Sequence, residues 1–153
     1  LYGVSHGEAR FGDRDNDGFL DLVVMGKRQV PLNNGLDGIV KSYINDGTGH
    51  FLSLRQTVTN PSPHGSLSWI DFDQNDYLDI IRTGALAANF QSEFITERLD
   101  RGNRVGSLTS GGWRGAALVN STLSWYDYDN DQDIDHLATG QYHGRGRPMG
   151  RCQ

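Results

Sequence analysis

The stretch FGDRDNDGFLDLVVMG, Phe11 to Gly26, decides how the rest of the chain is read. It recurs without gaps as WIDFDQNDYLDIIRTG from Trp69 and as WYDYDNDQDIDHLATG from Trp125, at spacings of 58 and 56 residues. A repeat of that length, built from short β-type runs, suits a four-stranded propeller blade better than a solenoid coil. The expectation is an all-β chain of blades, each with four antiparallel strands.

In the first unit the pattern predicts strands over Gly7 to Gly12, Leu20 to Met25, Val40 to Asn45 and Phe51 to Thr57. The last two are joined by Asp46-Gly47-Thr48-Gly49, whose glycines supply the positive φ of a tight hairpin. The second unit repeats the opening strands as Ser66 to Ile70 and Leu78 to Thr83. FQSEFITERL then reads as a strand, and Gly102 to Gly115 as an irregular hairpin or insertion. The third unit has Thr122 to Tyr126 and Ile134 to Thr139 before the sequence ends. Approximate blades are thus 1–62, 63–119 and 120–153, the last incomplete. Two and a half to three blades do not close a ring, so the expectation is a partial propeller, either a piece of a longer one or one completed by other chains.

Each copy places oxygen-bearing side chains at relative positions 1, 3, 5 and 9. These are Asp13, Asp15, Asp17 and Asp21; Asp71, Asp73, Asn75 and Asp79; and Asp127, Asp129, Asp131 and Asp135. Alternate residues of a tight loop can point inward together. Calcium takes six to eight hard oxygen ligands, a number that such side chains reach with water and one backbone carbonyl. The carbonyl donor is expected at position 7, from Phe19, Tyr77 and Asp133. Up to three Ca²⁺ are predicted. Without a cation the clustered carboxylates repel one another, so metal binding and loop order should be coupled. An EF-hand is excluded: position 12 holds Val24, Arg82 and Ala138 instead of a bidentate Glu, and the flanking segments are strand-like. Position 6 is Gly18 in the first loop but Asp76 and Gln132 in the others, which makes the first loop the best formed by sequence. Asn75 removes one charge from the second loop, and Asp133 adds a fifth acid to the third.

These residues resemble the FG-GAP or VCBS repeat family, the calcium-loop blades of integrin α-subunit propellers and of many secreted proteins. The resemblance rests on the DxDxDG core at Asp13 to Leu22, the lead-ins WIDFD and WYDYD, and the hairpin YINDGTGHF at Tyr43 to Phe51. It implies a propeller whose loop joins the first two strands of a blade, with the aspartates above as ligands. It also implies an extracellular or cell-surface setting.

Bulk properties agree with a turn-rich globular protein, with 20 Gly, 4 Pro and 36% apolar residues in 153. No run is long and apolar enough for a membrane helix, and the opening LYGVSHGEAR has neither an initiator Met nor a secretory apolar stretch, so the chain reads as a mature or excised piece. The formal charge of −5 is concentrated in the loops, and three divalent cations would turn it into +1. The acidity is therefore no sign of a basic partner, and neither nucleic acid nor membrane insertion is expected. The basic cluster Arg145, Arg147 and Arg151 reads as a solvated tail. Cys152 is the sole cysteine, and it forms no intrachain disulfide. Asn120-Ser121-Thr122 is a glycosylation sequon. Trp69 and Trp125, with Phe11 as counterpart, read as blade-to-blade packing. No HxH, HExxH or GxSxG pattern is present, and no catalytic centre is predicted.

The expected function is a calcium-stabilised extracellular interaction or adhesion module for a protein or glycan. The alternative is a subunit or segment of a larger assembly or filament of like chains. A polysaccharide-acting enzyme is a more distant third.

Overall fold

The computed structural model describes residues 3–30, 35–57, 64–84, 98–101, 109–110 and 118–142. Among these there are only strands and turns, arranged as three antiparallel sheets. The first contains β1 (Ser5–Gly12), β2 (Asp21–Val30), β3 (Gly35–Asn45) and β4 (Phe51–Thr57) in sequential order. The second contains β5 (Leu67–Ile70), β6 (Asp79–Arg82), β7 (Arg98–Arg101) and β8 (Thr109–Ser110), also in order. The third pairs β9 (Leu118–Tyr126) with β10 (Asp135–Tyr142). The fold is all-β with no closed barrel among the described residues, consistent with a partial propeller.

Strands β2 and β3 run further than the apolar pattern suggests. Their ladder continues through Lys27↔Gly38 and Arg28↔Asp37 to Val30↔Gly35, because backbone pairing does not require apolar side chains once the register is set. The predicted strand FQSEFITERL lies mostly outside the described residues, as does most of Gly102 to Gly115. Within these stretches β7 begins at Arg98, and β8 occupies Thr109–Ser110.

The continuous apolar runs LDLVVM and LDII follow from burial on both faces. Leu22, Val23, Val24 and Met25 are all buried, and so are Ile80 and Ile81. Side chains alternate across a strand, so one set packs toward the preceding side of the sheet and the other toward the next sheet. Val23, Met25 and Val40 of the first sheet meet Leu67, Ile80 and Trp69 of the second. Ile70 and Ile81 of the second meet Leu123 and Trp125 of the third, with Phe72 alongside. Fully burying one such aliphatic side chain contributes about 1.5–3 kcal/mol, so these joints are what hold the sheets together. The expectation that the two tryptophans pack between repeats agrees with this arrangement.

Polar contacts complete the joints. Glu8 Oε2 accepts the Leu67 N–H at 2.6 Å, Arg10 Nε donates to the Leu67 carbonyl at 3.3 Å, and Trp69 Nε1 donates to the Arg10 carbonyl at 3.3 Å. Between the second and third sheets the hydroxyls of Thr83 and Ser121 bond to each other. At the head of each unit, His64 N–H donates to the His6 carbonyl and Asn120 N–H to the His64 carbonyl, at 3.3 and 2.7 Å. All three residues have positive φ, 49°, 63° and 48°. They stand at equivalent places in the repeat, seven residues before Asp13, Asp71 and Asp127. The glycines that follow the two histidines, Gly7 and Gly65, lie so close to the Met25 and Thr83 carbonyls that no Cβ fits.

Candidate metal centre

The three acidic loops occupy the same place in their sheets. Gly12↔Asp21, Ile70↔Asp79 and Tyr126↔Asp135 are the strand pairs that close them, so each loop runs for eight residues between two antiparallel strands. Position 1 is the first residue off the outgoing strand. Position 9 is the first residue of the returning one. This register puts both residues at the mouth of the hairpin, and in the second and third loops it brings their carboxylate oxygens within 4.8 Å of each other.

Inside the loop one hydrogen-bond pattern is used three times. Both oxygens of the position 1 aspartate accept backbone N–H groups: Asp13 from Asp17 and Gly18, Asp71 from Asn75 and Asp76, Asp127 from Asp131 and Gln132, all at 2.9–3.1 Å. The side-chain oxygen at position 5 accepts the N–H of position 7, at 2.9 Å from Phe19, Tyr77 and Asp133 alike. These bonds curl the backbone around a small space and hold in place the residues expected to offer carbonyls. At position 9, Asp79 and Asp135 accept the N–H of Phe72 and Tyr128, each at 3.1 Å.

Carboxylate oxygens of Asp13, Asp15 and Asp17 lie within 4.8 Å of one another in the first loop. In the second the corresponding group is Asp71, Asp73 and Asp79, and in the third Asp127, Asp129 and Asp135. Positions 1 and 3 are thus gathered in all three loops, with position 5 as the third acid in the first and position 9 in the others. Asp133 stands outside the gathered acids of the third loop and is exposed.

The left-handed residue at position 6 is present in every copy: Gly18 at φ 90°, Asp76 at 67° and Gln132 at 75°. Glycine adopts this conformation freely, whereas an L side chain is strained by about 1–2 kcal/mol. The substitutions at this position therefore alter the energy of the loop and leave its shape intact. Position 4 is a second left-handed site that the sequence reading missed. Asn16, Gln74 and Asn130 have φ of 60°, 54° and 60°, and the recurring side-chain amide there was the available signal.

Loop 1 differs in its surroundings. At position 2, where the other loops carry Phe72 and Tyr128, Arg14 is fully buried, with Nε 3.5 Å from Asp21 Oδ2 and Nη2 3.8 Å from Asp15 Oδ2. Asp21 also accepts the Asn45 N–H at 2.9 Å, and Asn45 Nδ2 donates to the Leu20 carbonyl at 3.2 Å. The β3–β4 hairpin is thereby tied to the loop. It is itself ordered by Asp46, which accepts from Thr48 N–H and Oγ1 at 2.9 and 2.7 Å. The Phe19 ring lies over Gly47, where a Cβ would come within 2.7 Å.

The donor set fits a hard divalent cation. Asp15 Oδ1 is buried and receives no hydrogen bond from the protein. Burial raises the Asp15 pKa most strongly, followed by the negative charges of Asp17 and Asp21, against the lowering effect of Arg14. Asp129 in the third loop is raised in the same direction by desolvation and by Asp131. Carboxylates that are crowded and short of donors are those a cation would relieve. Oxygen-only donors in a flexible hairpin loop suit calcium better than a thiol- or imidazole-seeking metal.

Asn120, the sequon asparagine, is exposed near the start of β9, and its Nδ2 donates to Gln141 Oε1 at 3.1 Å. A search of curated proteins and a search of solved structures give no match to the chain. The family model described as FG-GAP-like repeat matches residues 13–81. The match starts at the first carboxylate of loop 1, passes through the Asp46 hairpin and ends on β6 just beyond loop 2, so it takes in the first two acidic loops and stops short of the third. The segment 13–81 thus matches an FG-GAP-like repeat, the repeat type that the motifs of the sequence led us to expect.

Proposed function

We propose that this chain is a calcium-binding extracellular interaction module, in which Ca²⁺ is held in the three Asp-rich hairpin loops and serves structure. The observation that carries the reading is the threefold recurrence of one loop geometry, with acids at positions 1 and 3 and a third acid from position 5 or 9 gathered each time within 4.8 Å. The FG-GAP-like repeat supports both the calcium and the extracellular setting. The ligands would be Asp13, Asp15, Asp17, Phe19 (carbonyl) and Asp21 in loop 1, with their counterparts in loops 2 and 3. A bound cation neutralises the repelling carboxylates, and the protein's own part is to hold them in place through the amides that cap positions 1 and 5. Ordered loops in turn fix the ends of the strand pairs on which the sheets stack. The partner of such a module would be a protein or a glycan.

Calorimetric titration of chelator-treated protein with calcium, followed by thermal melting, tests the reading. Three bound ions and a rise in melting temperature are expected, because a ligand that binds only the folded state stabilises it. Asp13→Ala should reduce the number by one. Absence of calcium-dependent heat together with an unchanged melting temperature would overturn the proposal.

A further inference from the structure

The three loops share one backbone course and differ in what holds the acid at position 9. In loops 2 and 3 that acid, Asp79 or Asp135, is gathered with those at positions 1 and 3. In loop 1 the gathered acids are Asp13, Asp15 and Asp17, and Asp21 is engaged elsewhere. Its Oδ2 lies 3.5 Å from Arg14 Nε and its Oδ1 accepts the Asn45 N–H at 2.9 Å, with both charged side chains 1% accessible. Position 2 brings a cation to loop 1 alone, since Phe72 and Tyr128 carry no charge. Arg14 is also fixed from outside its own loop, because the Leu78 N–H of loop 2 donates to its carbonyl at 3.1 Å. So placed, the guanidinium does for Asp21 part of what a bound ion would do. Asp15 Oδ1, buried and without a hydrogen-bond donor, still leaves the loop a group that a cation would satisfy.

We propose that loop 1 is the switch among the three sites: loops 2 and 3 fill first, and calcium enters loop 1 last, by taking Asp21 Oδ2 from Arg14. The inference rests on the reading of the loops as calcium sites. It reverses the order that Gly18 at position 6 suggests, because a built-in cation competes with the entering one for the same carboxylate. Loop 1 must surrender a hydrogen bond between charged groups and admit the ion beside a like charge, so its affinity should be about tenfold to a hundredfold below that of the other two. The exchange does not stop at the loop. Asp21 Oδ1 holds the Asn45 N–H, Asn45 Nδ2 donates to the Leu20 carbonyl at 3.2 Å, and the Phe19 ring lies over Gly47. Turning the Asp21 carboxylate toward an ion therefore moves the β3–β4 hairpin. Occupancy of loop 1 is passed to that hairpin at calcium levels at which the other two loops are already full.

Titration of the chelator-treated full chain with calcium, followed by calorimetry and by amide NMR spectra, tests the order. Two ions should bind tightly and a third about tenfold to a hundredfold more weakly, and the amide resonances of Asn45 and Gly47 should move with the third. Asp13→Ala should abolish the weak event. Asp71→Ala and Asp127→Ala should each abolish one tight event and leave the weak one. Arg14→Phe, which gives loop 1 the position 2 residue of loop 2, should bring the third ion to the affinity of the others; the three aspartate variants decide the order even if this one fails to fold. Three ions of equal affinity, two ions in all, a weak event that survives Asp13→Ala, or hairpin resonances that move with the first two ions would each overturn the switch and leave the calcium reading standing. A chain that gives no calcium-dependent heat overturns both.

Discussion

Arg14 holds its guanidinium Nε 3.5 Å from the Oδ2 of Asp21, and both side chains are buried. The pair places a permanent positive charge beside the first acidic loop, where the other two loops have Phe72 and Tyr128. In the metal-free protein it offsets part of the repulsion among Asp13, Asp15, Asp17 and Asp21. Toward an entering cation it is a like charge.

Arg14→Leu is accordingly expected to act in opposite directions on the two states. Removing one partner of a buried ion pair leaves Asp21 uncompensated, and the metal-free protein should lose about 3 kcal/mol of stability. Calcium should bind loop 1 more tightly in the variant and recover most of that loss. Melting in chelator and in calcium measures both effects, and a variant whose response to calcium is no larger than that of the wild type contradicts the account.

The strain at position 6 gives a second test. Replacing Gln132 or Asp76 by glycine removes a left-handed side chain and should stabilise the protein by about 1 kcal/mol each, while Gly18→Ala should destabilise it by a similar amount. Denaturant unfolding at fixed calcium concentration reads these differences. Equal stabilities in all three would mean that the loops relax around the residue.

Gly65 and Gly7 bear on the closeness of the strands. Gly65→Ala drives a methyl group into the backbone carbonyl of Thr83, and Gly7→Ala does the same at Met25, so each should cost about 3 kcal/mol. Gly3→Ala meets no atom within 4 Å and serves as the neutral comparison. Chemical denaturation of the three variants should separate the first two clearly from the third.

Acid sensitivity should follow His64. Burial first, then the charge of Lys27 and the neighbouring His6, push its pKa below the ordinary value of 6.5. The unfolded chain therefore binds a proton at a pH where the folded chain does not. Stability is complete above 6.5 and falls as the pH drops through that value toward the folded pKa. His136, lowered mainly by burial against the raising effect of Asp135, adds to the same slope. His64→Asn should flatten part of it, because Asn120 occupies the equivalent place with φ 48° and shows that asparagine accepts the conformation. Melting temperatures measured on both sides of 6.5 check this, and an unchanged slope would remove His64 from the explanation.

Much of the candidate site was legible in the sequence, because its chemistry is local. The acids, the residues that turn the chain between them and the strands that flank them lie within a dozen residues of one another, and three copies in register distinguish a designed loop from a chance polar turn. The left-handed bend at position 4 was just as local, in Asn16, Gln74 and Asn130, and was missed because it carries a side-chain amide and no glycine. The β3–β4 hairpin was readable for the same reason, from the turn chemistry of Asp46 to Gly49.

The burial of Arg14 was not legible, since an arginine between two aspartates reads as an exposed surface charge. The second loop, 58 residues along the repeat, lies against it, with the Leu78 N–H donating to the Arg14 carbonyl at 3.1 Å. Glu8 and Arg10 likewise lie 59 and 57 residues from the Leu67 backbone that they bind. Sequence by itself determined the β-repeat, the acidic loops and the aromatic positions that insert between sheets, because spacing and side-chain chemistry along a short stretch suffice for each. Only the tertiary structure decided which of those aromatics are covered. Among the described residues Trp69 and Trp125 each pack against a neighbouring sheet while Phe11 is exposed, and that difference arises from the stacking of sheets, which no single repeat contains.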